Sequence, residues 1–295
     1  MTDSTEALNR FNTLHSKAKN ILDGVSLSGI TNDLKETMTA VMRLPTEIQR
    51  ARGRGYTVQP ELEGRAREFV QLWERLSREA TSLIETEGFV LRNEARQVEI
   101  IIAQSGFAQN NPTELDRLGS LLEREIADAE GKIEESERRI RNHYEPTQNE
   151  ITQLVEQLTD IHWFLDHLAE ATFTLNSGES LVMAATAEWV ATGKGKDDPD
   201  GILFLTDKRL IFEQKETTGK TLGMFGGKKV QEVKWDVPLS QVEAVSTERK
   251  GLLGGKDMIT LTLRSGAPLA TITLEVKGKA KNTIWAEQIK KQMGS

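Results

Sequence analysis

The groups best suited to meeting a charged ligand lie in three glycine-rich connections of the C-terminal part: "TGKGKDDPDG" (192–201), "ETTGKTLGMFGGKK" (216–229) and "RKGLLGGKD" (249–257). The first holds Lys194 and Lys196. The second holds Lys220, Met224, Phe225, Lys228 and Lys229. The third holds Arg249, Lys250, Leu252, Leu253 and Lys256. Apolar tips with basic shoulders fit a membrane surface, because the tips insert and the cations attract anionic headgroups. The same exposed tips fit a protein partner equally well.

Other constellations are weaker. "HWFLDH" sets His162 and Asp166 one helical turn apart, which is ligand spacing, but His167 lies about 100° round the helix from Asp166. "TTGKT" (217–221) imitates the end of a phosphate loop, yet Gln214 stands where the leading glycine belongs and a poor helix former follows. The chain has no cysteine, and no histidine after residue 167, so thiol chemistry is excluded and no Ser/His/Asp set forms in that half. No catalytic residue, metal site or cofactor is expected.

The elements that must position these loops follow from charge and periodicity. Residues 1–172 carry 20 Lys+Arg against 30 Asp+Glu, a net of −10; residues 173–295 carry 18 against 15, a net of +3. The cations of the first part are mostly Arg and those of the second mostly Lys. This predicts two domains, residues 1–172 and 175–295. An acidic chain of pI about 5.4 is not expected to bind nucleic acid. No run of apolar residues approaches a membrane span, and the N-terminus lacks a basic start and an apolar stretch. The expected location is the cytoplasm, with a peripheral place at the inner face of the membrane if the loops bind lipid.

From Leu115 to Leu168, apolar residues recur at steps of three and four, with Ser136 and Thr147 filling polar gaps in the same register. This is a heptad seam and predicts a long helix in a coiled coil. Asn111 is the predicted N-cap, with Pro112 and Glu114 in the first turn. Pro146 is expected to kink or break the helix. A matching stripe from Phe69 to Ile102, begun at Pro60 and ended by "SGFAQNNP", predicts an antiparallel neighbour. Two shorter helices precede it, separated by Gly24 and Gly29, and "RARGRGY" (50–56) reads as a loop. The seam can close within one chain or between chains, so residues 60–172 offer a route to a homo-oligomer.

The period changes to two near Thr174. Seven strands follow: Leu181–Val190, "GILFL", "RLIFEQ", "VKWDV", "VEAVS", "MITLTL" and "ATITLEV". Lys279–Met293 closes the sequence as an amphipathic helix. In a simple meander, the connections after strands one, three and five share one end of the sheet.

"GILFLTDKRLIF" (201–212), "VPLSQVEAVS" (237–246) and the Trp285 helix resemble the GRAM/bacterial pleckstrin-homology-like group over residues 175–293. The resemblance implies a seven-stranded antiparallel pleckstrin-homology-like β-barrel capped by a C-terminal helix. Nothing comparable is recognised over residues 1–172; with the long-helix coiled-coil bundle read there from periodicity, the expected class is an α+β multidomain chain. The resemblance also implies a non-enzymatic binder of membranes, lipids or proteins. It places the ligand end at the loops after strands one, three and six, which sets the third lysine loop apart. Asp207, Lys208 and Arg209 are expected to shape a turn.

Overall fold

A computed structural model describes residues 4–108, 110–194, 197–218, 228–251 and 255–294. Four helices come first: α1 (Ser4–Gly24), α2 (Ser28–Gly53), α3 (Leu62–Ala108) and α4 (Pro112–Ala169). Seven strands follow: β1 (Leu181–Trp189), β2 (Asp200–Thr206), β3 (Arg209–Thr218), β4 (Lys228–Pro238), β5 (Val242–Lys250), β6 (Lys256–Leu263) and β7 (Thr271–Lys277). A single 3-10 turn, Leu239–Gln241, joins β4 to β5, and α5 (Asn282–Met293) ends the order. The expected α+β class and all seven expected strands are present. The chain packs as two compact units, Met1–Pro45 with Glu63–Val155, and Thr46–Leu62 with Glu156–Ser295. The change from helix to strand falls between α4 and β1, whereas the units divide within α2 and α4.

In the first unit the heptad seam is satisfied within the chain. Leu115, Leu118, Leu122, Ile126, Ile140, Tyr144, Ile151 and Leu154 are buried. Glu94 pairs with Lys132, Glu87 with Arg139, and Glu79 with His143, so α3 runs antiparallel to α4. Arg10 pairs with Asp116 and Glu123, Asp33 pairs with Arg141, and Gln148 donates to Thr37, so α1 and α2 follow each other parallel to α4. The cross-section is a three-helix bundle. Ser136 is buried and donates to Glu87 at 2.8 Å, as its place in the seam requires. The Glu114 N–H donates to Asn111 Oδ1 at 3.2 Å, so the predicted cap forms.

One local expectation is narrowed and another is corrected. α4 runs through Pro146 without a break. Proline removes one donor, and Pro146 sits on the exposed face, where water can satisfy the freed carbonyl. The segment Arg50–Gly53 is helix rather than loop. The turn begins at Arg54, and Arg52 holds it by donating to the carbonyls of Tyr56, Val58 and Gln59. The Tyr56 ring lies under the Arg52 guanidinium, and burial pushes its phenol up to about 12.

In the second unit the ladder order is β4-β3-β2-β1-β7-β6-β5, with every neighbouring pair antiparallel. One apolar core draws on all seven strands and on Trp285, Ala286 and Ile289 of α5, so the sheet curls around it. The edges are β4 and β5, and α5 packs on β5, β6 and the 3-10 turn. Asn282 fixes the start of α5 by donating to the carbonyls of Glu248 and Met258.

Strands β1 to β3 are buried on both faces. Leu203, Leu205, Leu210 and Phe212 face the core, while Ile202, Phe204 and Ile211 on the alternate face are buried too. The cover includes Phe173, edge-on to Phe204 at 5.1 Å. Two-sided burial explains why "GILFL" is a continuous apolar run rather than an alternation. Gly201 is required where β2 meets β3, because a Cβ there would lie 2.0 Å from the Glu213 carbonyl oxygen. That oxygen is backbone and cannot step aside, so Gly201→Ala is expected to cost about 1–3 kcal/mol. A lower denaturation midpoint for the β unit checks this.

Candidate functional site

Strand register assigns each lysine loop to an end of the sheet. β1 and β2 pair down to Glu188↔Asp200, and β3 and β4 pair out to Thr218↔Lys228. Both connections therefore leave from the end where β1 finishes. Trp189, the last residue of β1, faces Leu274 near the start of β7, so the β6–β7 connection (264–270) shares that end. The β5–β6 hairpin closes at Lys250↔Lys256, and Asp257 pairs with Val276 near the finish of β7, at the opposite end.

The simple-meander expectation is thereby corrected. Lys194, Lys229 and the Lys228 backbone lie at one end; Arg249, Lys250 and Lys256 lie at the other. The physical reason is the pairing of β1 with β7, which carries the sheet past its first strand and reverses the parity of the hairpins beyond it. Lys196, Lys220, Met224, Phe225, Leu252 and Leu253 lie outside the described residues, as does the Lys228 side chain.

The two ends also differ electrostatically. At the β5–β6 end, Arg249 meets Asp257 at 3.4 Å, Lys250 meets Glu248 at 3.1 Å, and Lys256 pairs with Glu275. Glu275 raises the Lys256 ammonium above its ordinary value. At the other end, Lys194 and Lys229 are exposed and have no ion-pair partner among the described residues. Their neighbour Lys215 is held by Glu170 at 2.6 Å.

The "TDKR" turn is a structural device, as expected. The Thr206 hydroxyl accepts from the Lys208 and Arg209 N–H groups and donates to Glu179. Asp207 accepts from the Ser180 N–H. Arg209 donates to both Glu179 oxygens and to the Thr174 carbonyl, and pairs with Asp236. The side chains of Glu179 and Arg209 are 0% and 14% exposed. Burial pushes the Glu179 carboxyl up, but hydrogen bonds from Arg209, the Asn176 N–H and Thr206 outweigh it and hold the carboxyl below its ordinary range.

A cavity of about 410 Å³ lies between the end of α4 and the sheet, lined by Trp163, Phe164, Ala184, Ala185, Lys277 and Lys279 among others. Small side chains on β1 leave the space, and the aromatic pair walls it. Lys277 is bound by Glu188 at 2.9 Å and Asp200 at 2.6 Å. Burial lowers its pKa, but those two bonds prevail and the net shift is upward. Sequence reasoning missed this cavity. The signal for it was the adjacent Trp163-Phe164 opposite a strand containing Ala184 and Ala185.

The His/Asp cluster does not converge. His162 faces Glu47 at 3.0 Å, Asp166 pairs with Arg54 at 2.8 Å, and His167 packs against Trp163. His167 is held below its ordinary value by burial first and by Lys215 next. No group of three ligating side chains occurs among the described residues. Thr217 and Thr218 of the "TTGKT" stretch are ladder residues paired with Lys229 and Lys228.

Removing either member of the Glu179–Arg209 pair strands a buried charge, so Arg209→Ala is expected to cost about 3–5 kcal/mol. The depressed carboxyl adds a sign. Its stabilisation is present above the unfolded value near ~4.3 and is lost as pH falls through the folded value. Acid titration of stability should therefore be flatter in Glu179→Gln than in the parent. Parallel curves would remove Glu179 from the acid response.

No family model matches this chain, and no curated protein matches it. Solved structures do. The Vps36 N-terminal PH domain is similar at 12% identity and TM-score 0.29, covering 41% of this chain and 83% of that one. The hSac2 domain from human phosphoinositide phosphatase Sac2 is similar at 16% identity and TM-score 0.30, covering 48% and 82%. A protein with a pleckstrin-homology domain from Shewanella loihica PV-4 is similar at 18% identity and TM-score 0.22, covering 41% and 80%.

Proposed function

We propose that the chain is a non-enzymatic scaffold whose β unit, a member of the GRAM/bacterial pleckstrin-homology-like group, meets an anionic membrane surface. The contact is the end of the sheet where β1–β2 and β3–β4 connect. One observation carries this reading: Lys194 and Lys229 at that end are exposed without ion-pair partners among the described residues, while the cations of the β5–β6 hairpin are matched by Asp257, Glu248 and Glu275. A cation already paired offers little net field to a headgroup.

The magnitudes make one copy a weak binder. Each Lys near an anionic surface adds about 1 kcal/mol. Lys194, Lys196, Lys220, Lys228 and Lys229 together supply roughly 5 kcal/mol before ordering costs, close to the ~4 kcal/mol of a millimolar complex. Linking two copies raises avidity by about 10²–10⁴. No described helix is long and apolar enough to span a membrane, so attachment through this end is peripheral in this reading.

A second reading has its own support. Among the described residues the ladder ends at β4 and at β5, and a peptide could add to either as a strand. That adaptor would be indifferent to lipid composition.

Charge reversal separates the ends. Lys194→Glu with Lys229→Glu should weaken sedimentation with phosphatidylserine vesicles at least about tenfold, whereas Arg249→Glu with Lys250→Glu should leave it within about twofold. Equal loss from both pairs, or none from the first, would remove the membrane reading of this end. Binding of a protein partner by a chain that ignores vesicles would favour the edge-strand adaptor.

A further inference from the structure

The seam of α3 faces the bundle through Leu91, Ala95, Val98, Ile101 and Ala108, all buried. At 100° per residue, their mean direction is about opposite to Phe89. The solvent face of a bundle helix should be polar. On α3 it is not: Phe89 is 63% exposed, Ile100 47% and Phe107 95%. Phe89 and Phe107 are eighteen residues apart, five full turns, so they share one line along the helix. Ile100 lies within about 20° of that line. The row is about 27 Å long. Arg96 stands on the same line, and Glu99 flanks it. Both are exposed, and neither has an ion-pair partner among the described residues.

We propose that this row is the contact between two copies of the chain, paired antiparallel along α3 about a twofold axis beside Val98. The proposal rests partly on the scaffold reading above and names its partner as a second copy. The spacing is self-complementary. Phe89 and Phe107 lie nine residues to either side of Val98, so each meets the other in the partner. In an antiparallel pair the same flank of each helix faces its own copy. Arg96 of one copy therefore falls within one residue's rise of Glu99 of the other, and the axis repeats the pair. Opposite charges meet at both crossings, where a parallel pairing would set Arg96 against Arg96. The heptad seam is occupied inside the chain, so this contact lies on the other side of α3 from the one that the heptad pattern suggested.

Area sets the strength. Two largely exposed phenylalanines and half an isoleucine offer about 300–350 Å² per copy, or about 600–700 Å² in all, at ~150–250 Å² for a whole aromatic side chain. That is below the ~1,200 Å² of a standard stable interface. The dimer is therefore weak and concentration-dependent, with dissociation in the range of tens to hundreds of micromolar, about 5–6 kcal/mol.

Sedimentation equilibrium of the whole chain tests it without lipid, so failure of the vesicle experiment would not bear on it. The parent should shift from monomer to dimer as concentration rises, and Phe107→Glu with Phe89→Glu should remain monomeric with unchanged helicity. Arg96→Glu alone and Glu99→Arg alone should each weaken dimerisation about tenfold or more, and the two together should restore it, because the swap re-forms both crossings. A parent monomeric to about 1 mM, a dimer untouched by the phenylalanine variant, or a double swap that restores nothing would each overturn the assignment.

Discussion

The ion pair between Glu179 and Arg209 ties together four segments of the second unit. It joins the segment that enters β1 to the first residue of β3. Through Asp236 it reaches β4, and through Thr206 it closes the β2–β3 turn. A buried carboxylate needs its lone pairs filled and a buried guanidinium needs its fork filled. Here, Thr206, the Asn176 N–H and the Thr174 carbonyl complete the set. Thr174 is thereby held beside the turn, one residue from Phe173, whose ring covers Phe204.

This arrangement decides which charges remain for function. Arg209 is committed to the fold. Lys277 is committed to Glu188 and Asp200, and Lys215 to Glu170. The β5–β6 cations have acidic neighbours on their own hairpin or on β7. Only after these are set aside do Lys194 and Lys229 stand out, although "TGKGK" and "RKGLLGGK" look alike as strings. Lysine content does not by itself make a binding face; a lysine counts when the fold leaves it uncompensated at an end shared with others.

Local order was legible in the sequence. Alternating or continuous apolar runs between turn signals marked all seven strands, the seam on α4 marked its buried residues, and Asn111 was readable as a cap because capping depends on neighbours three residues away. What depended on distant pairing was not legible. The reversal of hairpin parity comes from β1 meeting β7, some ninety positions apart by register; periodicity could not show it, and only the family resemblance had set the third lysine loop apart. The partner of Arg209 lies thirty residues upstream. The cavity needs Trp163 of α4 opposite Ala184 and Ala185 of β1. That α4 would not break at Pro146 was not legible either, because proline's cost depends on whether its freed carbonyl faces water, and that depends on tertiary packing. The exposed row on α3 could be seen only after burial separated it from the seam on the same helix.

Peripheral, charge-driven attachment is the central claim. It is tested most directly by sedimenting the intact chain with vesicles of phosphatidylcholine alone and with added phosphatidylserine, at low and at high salt. The account predicts binding only to the anionic vesicles, with most of it lost at high salt, since exposed lysines are screened within about 10 Å at ~0.1 M ionic strength. Binding to neutral vesicles that salt leaves unchanged, or no binding to either, would contradict it.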